Sequence, residues 1–232
     1  MLMIRLLAVD MDGTCLNRKN QISEQNMAAL RRLAQSGIQI VPASGRASTC
    51  LPHQLRAAPL LFRYAITSNG ARVDDVRGHC LFCQEIYPDT ALSLLSDCQT
   101  LRIGVSAHIC RAYLLQGRLL EMMGKAVYGK DAEQARCVPD LRPLIKQSRG
   151  VEELQFYFFS RTAREALRQI LSYYPTLNAA YSSSYVEIFS AEASKGKALS
   201  ALSQHLHLDR SQIACIGDSI TFGAAVKGAG TA

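Results

Sequence analysis

A chain of 232 residues with 48% hydrophobic and 19% charged side chains can bury a sizeable core and falls outside the disordered class. No apolar run approaches the ~18 residues of a membrane span, so no membrane is expected as a partner. The net charge of +7 is spread along the chain, without a dense basic block or a basic-aromatic recognition pattern, so nucleic acid is not expected either.

The start, MLMIRLLAVD, is interrupted by Arg5 and Asp10 and lacks a basic segment, long apolar stretch and small-residue cleavage site, which points to a cytoplasmic location. The 8 cysteines are scattered, several inside apolar runs, as expected in a reducing compartment. Ile4 to Val9 is predicted as a buried strand. Ser23 caps a predicted helix that carries Met27, Leu30, Leu33 and Ala34 on one face and stops at Gly37. Ile38 to Val41 is the next strand, completing a β-α-β unit and implying a parallel sheet. Tyr64 to Thr67 is a third strand, and Ala71 to Glu85 alternates like a hairpin. Within it, Cys80 and Cys83 form a C-x-x-C without a second ligand pair for zinc and outside a helix start, so they are read as structural thiols.

Residues 88 to 100 read as helical and 101 to 115 as two strands, with helix-favouring stretches between 118 and 147. VEELQFYFF (151 to 159), a helix from about Thr162 to Tyr173 and strands around 176 to 189 follow. Lys197 to Leu206 is a further helix, and Gln212 to Ile216 a last buried strand. The prediction is an α/β protein with a Rossmann-like open parallel sheet: residues 1–84 and 190–232 form a discontinuous core, and 85–189 an inserted α/β domain.

In such a sheet, ligands gather beyond the carboxyl ends of the strands. Those ends carry Asp10-Met11-Asp12-Gly13-Thr14, Ala43-Ser44-Gly45-Arg46, Asn69-Gly70 and Gly217-Asp218-Ser219, with Ser194-Lys195-Gly196 before the last helix. Asp10 and Asp12 point the same way if the chain stays extended, and two close carboxylates need a divalent cation or a proton. A solvated acidic turn is the competing reading of D-x-D-G alone. Together, three carboxylates, a hydroxyl and an ammonium suit a phosphate and a magnesium ion. A P-loop is ruled out, because Ala191 stands where its first glycine is needed and Ala198 where Ser or Thr should be. His108 is read as a packed or surface residue.

D-M-D-G-T, S-G-R, S-K-G and G-D-S, in that order after strand ends, resemble the four motifs of the haloacid dehalogenase (HAD) superfamily. The insert and the run V-E-I-F-S-A-E-A-S-K-G-K-A-L resemble its Cof-type sugar-phosphate phosphatases, and the resemblance extends from residue 4 to the end. It implies a HAD-like core with an α/β cap, and a magnesium-dependent phosphatase acting on a small phosphorylated metabolite, with a sugar phosphate as the implied class. Asp10 would be the nucleophile that forms an aspartyl-phosphate, and Asp12 the acid and base. Magnesium would be held by the Asp10 carboxylate, the Asp12 carbonyl and Asp218. Ser44, Gly45 and Lys195 would hold the phosphate oxygens, with Arg46 and Asn69 as second-rank candidates.

The resemblance has one flaw. The family pattern continues G-D-x-x-N-D, whereas Thr221 and Phe222 stand in the last two places. A phenylalanine there cannot orient a metal ligand, and losses of this kind weaken metal binding or activity ~10- to 100-fold. The chain also stops at Ala232, before the strand and helix with which relatives close the sheet, which would leave an exposed edge. The alternative expectation is a descendant that binds a phosphorylated ligand or partner without turnover.

Overall fold

The computed structural model describes residues 3–122, 131 and 134–217. In chain order its main elements are β1 (Leu6–Asp10), α1 (Glu24–Gln35), β2 (Gln39–Ala43), α2 (His53–Arg56), β3 (Tyr64–Thr67), β4 (Arg72–Asp75) and β5 (Cys80–Cys83). There follow α3 (Pro88–Asp97), β6 (Ile103–Ile109), β7 (Ala112–Gln116), β8 (Arg136–Val138), α4 (Arg142–Gln147), β9 (Glu153–Phe158) and α5 (Arg161–Leu171). The chain then forms β10 (Leu177–Tyr181), β11 (Tyr185–Ser190), α6 (Lys195–His205) and β12 (Ile213–Ile216). Two compact units result: Met1–Arg46, Leu51–Cys83 and Ala193–Ala232 form one, and Ala47–Cys50 with Gln84–Glu192 the other.

The first unit is built on a sheet of order β12-β1-β2-β3-β4-β5, parallel through β3 and antiparallel beyond it. Every residue of β1 is buried, as a strand covered on both faces requires. Its side chains alternate between two cores. Leu6 and Ala8 join Val41, Ala43 and Ile66 against Ala198, Leu199 and Leu202 of α6. Leu7 and Val9 join Ile40 against Met27 and Leu30 of α1. The α1 boundaries have local causes: the Ser23 hydroxyl accepts from the Asn26 amide at the start, and Gly37 takes φ +84° just past the end. The parallel crossover from β1 through α1 to β2 is the unit the two periodicities predicted.

The second unit has a sheet of order β10-β11-β9-β6-β7-β8, antiparallel except for β7 with β8. Ala107, Ile109, Leu154 and Phe156 pack against Leu94 of α3, Ile145 of α4 and Leu167 of α5. Their sequence neighbours therefore point to the other face, and these are polar. Gln155 Oε1 accepts from the Tyr113 and Tyr157 hydroxyls at 3.0 and 2.8 Å, and Gln155 Nε2 donates to Glu153 Oε1 at 2.7 Å. His108 lies on this face, with Tyr113 edge-on at 5.2 Å between ring centroids and Glu153 Oε1 at 3.7 Å, too long for a hydrogen bond.

Burial pushes the His108 pKa down to about 3. Above the ordinary value of about 6.5 both folded and unfolded chains carry it neutral. Below that, the unfolded chain takes up a proton that the folded chain refuses, so acid costs stability. Each pH unit of this window removes up to about 1.4 kcal/mol. Denaturant unfolding of wild type and His108→Gln between pH 7.5 and 4.5 is expected to show a shallower acid slope in the variant, whatever its stability at neutral pH. Parallel slopes would show that His108 protonates freely in the folded state.

Candidate active site

Asp10 is the last residue of β1 and only 3% exposed. After it the chain turns: Asp12 remains extended (φ −77°, ψ 125°), but Gly13 takes φ 81°, a conformation that favours glycine. The two carboxylates are thereby given separate basic partners. Lys195 Nζ donates to Asp10 Oδ1 at 2.5 Å, and both side chains are more than nine-tenths buried. Arg46 grips Asp12 instead, with Nη2 at 2.7 Å from Oδ1 and Nε at 3.1 and 3.2 Å from the two oxygens. Arg46 is buried, whereas the Asp12 side chain is half exposed. One acid is thus fixed inside, and the other sits at the rim of the site.

Each partner is placed by a strand end or helix start. Ser44 follows β2 and its amide donates to Ile66 O of β3. Its hydroxyl donates to Asp12 Oδ2 at 3.0 Å and accepts from the Arg46 amide at 3.1 Å, so the same oxygen shapes the turn and touches the acid. Gly45 lies under Asn69: a Cβ built on it would stand 3.1 Å from Asn69 Nδ2 and Oδ1. Asn69, at φ 54°, is tied back by its amide to Ser44 O at 3.2 Å. Lys195 opens α6, whose Ser194 cap accepts from the Lys197 amide. Gly70, at φ +89°, lets this helix start pass against the turn after β3: a Cβ on it would fall 2.1 Å from the Ser194 carbonyl carbon.

The charge of Asp10 is felt nearby, since burial and then the Asp10 carboxylate push the Cys15 thiol up. Cys15 is therefore held as a thiol, a poor nucleophile. Asp10, Asp12, Ser44, Gly45, Arg46, Asn69 and Lys195 all meet at the carboxyl ends of β1, β2 and β3. Asp218, Thr221 and Phe222 lie outside the described residues. Among the described residues no group of three His, Cys, Asp or Glu side chains is arranged to hold a metal. The donors that are described, the buried Asp10 carboxylate and the Asp12 main-chain carbonyl, are hard oxygens of the kind magnesium prefers. They fit such an ion as two members of a set.

Two contacts are absent from the sequence-based reading. Asn20, at φ 57° in the turn after the first motif, accepts from Arg46 Nη2 at 3.2 Å. Arg46, ranked second by motif position, holds Asp12 through three contacts, two from Nε and one from Nη2. An Asn-tolerated left-handed turn between two polar runs is a weak signal for the first; a bidentate fork needed by a half-exposed carboxylate is the physical signal for the second.

A family model described as haloacid dehalogenase-like hydrolase matches residues 7–220. An HMP-PP phosphatase of Enterobacter sp. is 28% identical over 221 residues, covering 94% of this chain and 79% of that protein. Phosphatase YwpJ of Bacillus subtilis is 25% identical over 256 residues, covering 98% and 87% respectively. The solved structure of a haloacid dehalogenase-like hydrolase from B. subtilis shares the fold, with a TM-score of 0.81 at 23% identity over 97% of this chain and 87% of that one. With the family match running through both acids, the Ser44 turn and Lys195, the chain belongs to the haloacid dehalogenase-like hydrolases.

Proposed function

We propose that this hydrolase is a phosphoric monoester hydrolase that removes the phosphoryl group of a small phosphorylated metabolite through an aspartyl-phosphate on Asp10. The observation that carries the reading is the Asp10–Lys195 pair, a buried carboxylate with an ammonium on one oxygen at a strand end. Lys195 balances the carboxylate and is placed to share its charge with an incoming phosphate, so an anionic nucleophile can meet an anionic phosphorus. Asp10 attacks phosphorus and the alkoxide departs, taking a proton from Asp12. Asp12 then takes a proton from the water that opens the acyl phosphate. With a phosphate bound, the Ser44 hydroxyl turns its one proton from Asp12 Oδ2 to a non-bridging oxygen, and the Gly45 amide supplies a second donor. A magnesium ion, when bound, would be held by Asp10, the Asp12 carbonyl and Asp218, and would supply charge neutralisation between nucleophile and phosphate. The names of the Enterobacter and B. subtilis relatives, both phosphatases, support the reaction class.

Arg46 acts on Asp12 alone in this scheme. Arg46→Lys keeps the charge but loses the fork, and kcat is expected to fall ~10- to 100-fold as the acid loses its orientation. An unchanged kcat would remove Arg46 from the mechanism. The altered fourth motif gives a gain-of-function test: Thr221→Asn with Phe222→Asp is expected to raise kcat/KM or magnesium affinity by ~10-fold or more, and no gain would show that these positions do not limit activity.

The deciding experiment is magnesium-dependent hydrolysis of p-nitrophenyl phosphate, followed by a panel of sugar phosphates and HMP-PP. Turnover that requires magnesium and vanishes on chelation is expected. A folded wild-type protein with ample magnesium and no turnover on any of them would overturn the proposal in favour of a binding role.

A further inference from the structure

The hairpin of β4 and β5 carries a feature unrelated to phosphate chemistry. Cys83 pairs with Arg72 and Phe82 with Val73, but Asp74 then pairs with Cys80, leaving Leu81 as an extra residue in a bulge. In a regular strand residues three apart face opposite ways. The bulge changes that parity, so Cys80 and Cys83 share the face that carries Arg72 and Asp74. Both cysteines are exposed; partial burial, as the larger cause, holds the Cys80 thiol above its ordinary range, and the neighbouring Arg72 guanidinium and the Cys83 side chain beside its sulfur oppose that shift. Arg72 Nε donates to Asp74 Oδ1 at 2.8 Å beside them, which sets a guanidinium and a carboxylate along the two thiols. His79 is turned to Asp75, with Nδ1 at 3.0 Å from Oδ2. β5 ends the strand order among the described residues, so the two cysteines lie on the strand at the edge of the sheet.

We infer that Cys80 and Cys83 form a dithiol exchange site whose substrate is a low-molecular-weight disulfide. The thiolate of one cysteine attacks a sulfur of the small disulfide, whose S–S bond breaks to release one thiolate. The second cysteine then attacks the protein sulfur of the mixed disulfide, closing the Cys80–Cys83 bond and releasing the second thiolate. The two protons lost by the cysteines end on the two released thiols. The protein dithiol is oxidised by two electrons, and the small disulfide is reduced by two.

Glutathione disulfide serves as the probe, applied to the full chain at mildly alkaline pH, followed by alkylation of remaining thiols and peptide mass spectrometry. The expected product is a Cys80–Cys83 peptide two hydrogens lighter and free of glutathione. It should exceed the glutathionylated form at least about tenfold, because the second thiol competes from an effective concentration far above that of the probe. Cys83→Ser is expected to arrest the reaction with glutathione on Cys80, while the exposed Cys110 and Cys137 should carry single adducts in both proteins. Stable glutathione adducts on Cys80 or Cys83 in the wild type, or no reaction at either, would overturn the proposal.

Discussion

Asp10→Asn is expected to lower phosphatase turnover by about 10⁴-fold or more, the largest activity effect of any single replacement in the site. The amide keeps the shape of the carboxylate but offers no anionic oxygen to attack phosphorus, so the covalent path closes. The same change removes the charge that faces the Lys195 ammonium at 2.5 Å. Breaking a buried pair from one side costs about 3–5 kcal/mol, so a loss of stability accompanies the loss of activity and the two must be separated. Asp10→Glu does this. It returns a carboxylate to Lys195 while moving the reacting oxygen by one methylene, and it should recover much of the stability but little of the turnover. Rates measured on protein shown to be folded by circular dichroism, with unfolding midpoints for both variants, provide the check. If Asp10→Asn keeps more than about one hundredth of the wild-type rate, Asp10 is not the nucleophile.

Much of this site was legible because it rests on local patterns. The apolar β1, the capped α1 and the strand after Gly37 follow from periods of two and 3.6, and the positions of Asp10, Asp12 and Ser44 follow from where those strands stop, whereas Lys195 was singled out by the resemblance of S-K-G to the family motif. What was not legible is tertiary. That Asp10 and Asp12 would be divided between Lys195 and Arg46 depends on contacts between residues 185 and 34 positions apart, and no spacing rule encodes them. The thiol pair shows the opposite failure. Strand parity sends Cys80 and Cys83 to opposite faces, and the bulge that brings them together has Leu81 as its extra residue, with none of the glycine that commonly announces such a kink. His108 lay between two readings, packed or surface, because period-two alternation shows which residues share a face but not whether that face is covered. It proved to be buried on a polar layer.

A large stability effect in the first unit is also expected at Gly70, a residue with no chemistry of its own. Its φ of +89° already disfavours a side chain, and an added Cβ would stand 2.1 Å from the Ser194 carbonyl carbon and 2.3 Å from the Lys195 nitrogen. These are backbone atoms at the start of α6, with Ala198, Leu199 and Leu202 locked in the core behind them, so no side chain can swing away to make room. Gly70→Ala is therefore expected to cost about 3 kcal/mol or more, the left-handed penalty added to severe overpacking. Gly37 supplies the control. It has a similar φ of +84° but nothing within 4 Å of its built Cβ, so Gly37→Ala should cost only about 1 kcal/mol. The difference between the two unfolding free energies isolates the contact between the turn and the helix start. That contact fixes Lys195 against Asp10, so Gly70→Ala should also lose turnover under conditions where the protein remains folded, while Gly37→Ala retains it. Equal costs at the two glycines would mean that α6 can recede from the turn, and full activity in Gly70→Ala would mean that the position of Lys195 does not depend on this contact.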